Sequence, residues 1–146
     1  MENFTEELQI KILIIEDNTG ALMKLQQSLI NKNYRMATCR GEQAIERIYR
    51  EQPDIILLDL KLKNTTGLSV LKEIKLNQNL QSIPVIIISE ICTPLYWEEA
   101  YLLGAAAYLV NPVHLNYLGN RISKLLLKRK QEIAPGGAAQ AFNLQN

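Results

Sequence analysis

The chain is poor in cysteine, has one histidine and carries almost no net charge. Its two cysteines, Cys39 and Cys92, lie far apart and match no metal-binding spacing. A disulfide framework and a thiolate metal site are therefore set aside, and two free thiols are expected. Lys+Arg is 16 against 15 for Asp+Glu, so no global field draws the protein to nucleic acid or to a membrane. No apolar run reaches the 18 residues that a membrane-spanning helix needs. The start, Met1-Glu2-Asn3-Phe4-Thr5-Glu6-Glu7, is acidic and lacks the apolar centre of a signal peptide, so a cytoplasmic location is expected. There is no G-x-G-x-x-G, no P-loop and no internal repeat, which argues against dinucleotide and ATP sites.

What is present is a set of apolar runs, each closed by a polar residue. Glu16 and Asp17 follow Ile12-Leu13-Ile14-Ile15. Asp59 follows Ile55-Ile56-Leu57-Leu58, and Ser89 follows Val85-Ile86-Ile87-Ile88. None of the runs alternates with polar residues, so each reads as a strand buried on both faces. In an open parallel sheet the carboxyl ends of the strands form the ligand edge. Three carboxylates at such an edge repel one another unless a cation sits among them. The pattern points to an oxygen-ligand site for Mg²⁺ with one carboxylate free for chemistry. A carboxylate beside Mg²⁺ can attack phosphorus and form an aspartyl-phosphate. Ser89, at the tip of the neighbouring strand, can donate a hydrogen bond to a phosphoryl oxygen.

Strands are expected over 10–15, 34–38, 55–58, 83–88 and 108–110. Helices are expected between and after them: one led by Asn18 or Thr19 with Leu22, Leu25 and Leu29 inward, then 41–51, one from Gly67, then 94–103 and 114–130. In the second helix Ala44, Ile45 and Ile48 point inward. In the third Leu68, Leu71 and Ile74 do so, and in the last Leu115, Leu118, Ile122, Leu125 and Leu126. Residues 60–66 read as a polar loop. Five βα units imply an α/β fold, a doubly wound parallel sheet with helices on both faces. One domain is expected over 10–131, with an N-terminal extension over 1–9 and a flexible Pro/Gly/Ala-rich tail over 132–146.

Over about residues 10–130 the chain resembles the receiver domain of two-component response regulators. The resemblance rests on Ile14-Ile15-Glu16-Asp17-Asn18, on Asp54-Ile55-Ile56-Leu57-Leu58-Asp59-Leu60, on Gly67, on Ser89, on Gly104-Ala105 and on Tyr108-Leu109-Val110-Asn111-Pro112. It implies the flavodoxin-like sheet order 2-1-3-4-5 with five helices. It implies that Asp59 is the phosphoacceptor, supplied by a sensor histidine kinase or a phosphotransfer protein. Asp17, Asp59 and the Lys61 carbonyl would bind Mg²⁺ directly, Glu16 through water, and Ser89 and Tyr108 would be the switch pair. The family's usual Asn111-Pro112 equivalent is a cis peptide. It implies no enzyme in the ordinary sense, at most Mg²⁺-dependent self-phosphorylation and autodephosphorylation.

Two positions depart from the family. Asn111 stands where a lysine normally bridges the acceptor, and Glu90 where a small residue leaves room for the phosphoryl group. Either Lys61 or Lys63, in the loop after the acceptor, is a candidate to replace the missing charge. Trp97 and Tyr101 share one side of the fourth helix. With Tyr108 they mark the face, built from helix 4, strand 5 and helix 5, through which the family meets effectors or a second copy. His114 reads as a surface residue. The basic cluster Lys124, Lys128, Arg129 and Lys130 suits a helix C-terminus, and no DNA-binding helix pair follows it. Two functions stay open: a phosphorylatable receiver with altered switching, or a receiver-like module regulated by partner binding. A small phosphatase or flavin enzyme on the same sheet lacks its second acid or its phosphate loop.

Overall fold

The computed structural model describes residues 9–30 and 33–133. Five strands, β1 (Ile10–Ile15), β2 (Tyr34–Cys39), β3 (Ile55–Leu58), β4 (Val85–Ser89) and β5 (Ala107–Val110), form one sheet. All neighbours are parallel, in the order 2-1-3-4-5. The helices are α1 (Thr19–Leu29), α2 (Ala44–Glu51), α3 (Gly67–Leu76), α4 (Pro94–Leu102) and α5 (Leu115–Ile133). This is the expected five-stranded flavodoxin-like architecture. The expected extension over 1–9 and tail over 132–146 fall almost wholly outside the described residues, as does the side chain of Leu115.

The central runs lack polar alternation because both faces are covered. Leu13, Ile15, Ile56, Leu58, Val85 and Ile87 face Ala44, Ile48, Leu71, Ile74 and Ala100 of α2, α3 and α4. Their alternates Ile12, Ile14, Ile55, Leu57, Ile86 and Ile88 face Leu29 of α1 and Leu118 and Ile122 of α5. Adjacent residues on a strand thus enter opposite layers. Leu22, Leu25, Leu125 and Leu126 cover the margin of the second layer, and Ile45 and Leu68 that of the first.

Several boundaries differ from expectation. A short 3₁₀ turn, Gly41–Gln43, precedes α2, which starts at Ala44 with no side-chain cap. β4 begins at Val85, because Pro84 has no N–H to give the ladder. It ends at Ser89, one residue beyond the apolar run. The stretch 60–66 is not simply a polar loop. Leu60 is buried, Lys61 and Thr66 form an isolated bridge, and Thr66 Oγ1 accepts from Ser69 N–H to cap α3. Asn18, not Thr19, caps α1 through Ala21 N–H. Gly104, with φ 105°, ends the turn after α4. Lys75 lies against it, with Nζ donating to the carbonyls of Gln81 and Ile83.

Candidate functional site

Sheet register brings Glu16 and Asp59 together. Ile15 pairs with Leu58 across β1 and β3, so the next residue of each strand emerges at the same edge. Main-chain bonds fix both exits: Asp59 N–H donates to the Ile15 carbonyl and Glu16 N–H to the Cys39 carbonyl, each at 3.1 Å. The side chains are half-buried neighbours and share a hydrogen bond. Burial pushes the Glu16 carboxyl up to about 7 from an ordinary 4.5. The Asn18 N–H, donating to Oε1 at 2.9 Å, opposes this, while the charges of Asp59 and Asp17 reinforce it. Asp59 is raised too, chiefly by burial. The Glu16 hydrogen bond and the N–H groups of Lys61 and Leu60 hold it down, and the charge of Glu90 lifts it further.

Asp17 reaches the same edge but turns to the main chain. Its Oδ1 accepts from Gly41 N–H at 2.8 Å and its Oδ2 from Lys63 N–H at 2.7 Å. Among the described residues no three acid, imidazole or thiol side chains form a preformed metal cage. The idea that Lys61 or Lys63 replaces a missing ammonium is not supported by the geometry. Both side chains are exposed, and none of the ion pairs among the described residues involves Glu16, Asp17 or Asp59. Lys63 acts on Asp17 through its backbone.

Ser89 is 1% exposed, and its Oγ accepts from Ile91 N–H at 3.1 Å. The Ile91 carbonyl in turn accepts from the Tyr108 hydroxyl at 2.6 Å. Both backbone groups of Ile91 thus link Ser89 to Tyr108, which no sequence signal foretold. The Tyr108 N–H donates to the Tyr101 hydroxyl, and the Tyr108 ring meets Trp97 edge-on with centroids 6.4 Å apart. Trp97, Tyr101 and Tyr108 therefore form one cluster. A shallow groove of about 500 Å³ on α4 is lined by Trp97, Glu98, Tyr101 and Leu102. Asn111 N–H donates to the Ser89 carbonyl at 2.9 Å, and the Asn111–Pro112 bond is cis. Glu90 and His114 are exposed. Cys39 is a buried free thiol and Cys92 an exposed one.

The sequence profile of the response regulator receiver domain matches residues 12–123. The chain belongs to this family. It is a receiver domain of two-component systems. Sporulation initiation phosphotransferase F of Bacillus subtilis is 28% identical over 117 residues, which cover 80% of this chain and 93% of that one. The transcriptional regulatory protein ZraR of Klebsiella oxytoca is 30% identical over 128 residues, 87% of this receiver but only 28% of ZraR. The receiver thus spans nearly the whole of the Bacillus subtilis relative but under a third of ZraR. Among solved structures, the receiver domain of sensor histidine kinase PA1611 from Pseudomonas aeruginosa superposes with a TM-score of 0.74. It is 25% identical, over 81% of this chain and 98% of that one, and has a magnesium ion coordinated in its active-site cleft.

The residues of this receiver fit such an ion. Its edge presents hard carboxylate oxygens with no partner cation among the described residues, and burial, reinforced by the charges of Asp59 and Asp17, already raises Glu16. Mg²⁺ keeps several waters and needs only one or two carboxylates, so a closed cage of three acids is not required. Each Asp17 oxygen keeps a second lone pair beyond its amide bond. Among the described residues no helix is long and apolar enough to cross a membrane.

Proposed function

We infer that Asp59 accepts a phosphoryl group from a phosphohistidine on a sensor histidine kinase or phosphotransfer protein. The observation that supports this reading is the side-by-side placement of Glu16 and Asp59 at the sheet edge, with neither paired to a side-chain cation among the described residues. An Asp59 oxygen attacks phosphorus as the phosphorus–nitrogen bond breaks and the imidazole leaves. The N–H groups of Leu60 and Lys61 orient the attacking carboxylate. Ser89 Oγ would donate its own proton to a phosphoryl oxygen. Asp17, Asp59 and the Lys61 carbonyl would hold Mg²⁺, with Glu16 reaching it through water. When bound, the ion supplies positive charge to offset the transferring group. On this reading the protein works in the cytoplasm, with no direct contact to membrane or nucleic acid. Its output is carried by the Trp97–Tyr101–Tyr108 face to an effector or a second copy.

The test is incubation with Mg²⁺ and a small phosphodonor. An acid-stable, base-labile adduct is expected, and it is absent from Asp59→Ala. A second reading, a module regulated by partner binding, is favoured by Asn111, which carries no charge, and by Glu90, whose charge already acts on Asp59. A wild-type protein that binds Mg²⁺ yet forms no adduct would establish that second reading instead.

A further inference from the structure

The Asp17 carboxylate is held between two separate loops. The Gly41–Gln43 turn supplies one amide and the loop after β3 the other. Across the same seam Asn64 Nδ2 donates to Glu42 Oε2 at 2.9 Å. Gly41 is buried at this seam, and its backbone lies outside the left-handed region that would by itself demand glycine. Space demands it instead. A Cβ built on Gly41 would stand 2.7 Å from Leu62 Cδ1 and 3.2 Å from Leu62 Cβ and Cγ. Leu62 is partly buried against the core layer of α2, α3 and α4; its Cδ1 end can swing aside, but relief at Cβ and Cγ, next to the backbone, needs the loop itself to shift by a few tenths of an ångström.

We propose that Gly41 is a positioning residue: its close seat on Leu62 sets the spacing of the two loops that grip Asp17, and so fixes the orientation in which the Asp17 carboxylate would meet a cation. This deepens the Mg²⁺ reading above and rests on it. A side chain at position 41 pushes the turn off Leu62 and lengthens one of the two amide bonds. A carboxylate gripped on one side only can rotate. Partners that orient a metal ligand typically change metal affinity by roughly 10–100-fold when lost.

The test uses the full chain in two arms. In metal-free protein, amide hydrogen exchange is read by NMR. Asp17→Ala should speed exchange at Gly41 and Lys63 together. Gly41→Val should speed exchange at Lys63 as well, although Lys63 and Asp17 are both intact. Wild-type protection of Lys63 in a folded Gly41→Val protein overturns the proposal. Should Gly41→Val not fold, Gly41→Ala gives the same comparison with a smaller shift. In the second arm, calorimetric titration with Mg²⁺ should weaken in order of side-chain size, by roughly tenfold or more for Val. Leu62→Ala, which removes two of the three crowding atoms, should recover most of the affinity lost by Gly41→Ala. No loss, or a loss that Leu62→Ala does not recover, overturns the spacing argument. If the wild-type protein binds no Mg²⁺, the metal reading itself fails and the aiming role falls with it. The exchange arm still decides whether the grip exists.

Discussion

A carboxyl group half-removed from water beside two others keeps its proton longer than a free one, and Glu16 is raised to about 7 for that reason. The sign of the linked stability follows. Between about 4.5 and 7 the folded protein holds a proton that the unfolded chain has released. Without metal, stability should therefore fall as pH rises through that window. Glu16→Gln should flatten the fall, and added Mg²⁺ should oppose it; urea midpoints at several pH values measure both. Cys39 shows the same physics in a thiol. Burial is the main cause that pushes its thiol up to about 11, so little thiolate exists at pH 8. Iodoacetamide at that pH should consume Cys92 quickly and Cys39 only in denaturant, with peptide mapping to tell the two apart.

At the scale of elements, the caps bear testable energies. Thr66 Oγ1 takes the Ser69 N–H, so Thr66→Ala should cost about 1 kcal/mol, seen as a lower urea midpoint at unchanged slope. Gly104 sits at φ 105° against Lys75, so Gly104→Ala should cost about 1–3 kcal/mol by the same measurement. These two residues also show what a linear reading can and cannot find. Gly104 was legible, since a glycine after an apolar helix marks its end. Thr66 was not, because it lies in a polar stretch whose capping bond depends on where α3 begins. β1, β3 and β4 were legible because a strand covered on both faces must be apolar throughout. The start of α2 was not, since Gly41-Glu42-Gln43 has no capping side chain. Within the site, Glu16 and Asp59 could be paired from their places at two strand ends. The grip on Asp17 and the link through Ile91 could not, because they use backbone groups that every residue has. Lys61 and Lys63 are exposed and make no ion pair with the acids among the described residues, because proximity in the chain does not direct a side chain inward.

Across the whole molecule, α4 is the unusual surface. It is apolar on most sides, yet Ala100 alone is buried, while Trp97 is 40% exposed, Tyr101 50% and Leu102 87%. The hydrogen bonds from Ser89 through Ile91 to Tyr108, and the ring contact to Trp97, join the site to this surface. Phosphodonor with Mg²⁺ should therefore change Trp97 fluorescence. The change should vanish in Asp59→Ala and shrink in Tyr108→Phe, which cannot donate to Ile91. β5 is the outermost strand here, and the rim of a sheet is normally open to a foreign strand. The Tyr101 oxygen occupies the middle of that rim by taking the Tyr108 amide. A visitor to this side of the molecule thus finds rings and aliphatic groups to lean on, and a ladder already interrupted at Tyr108.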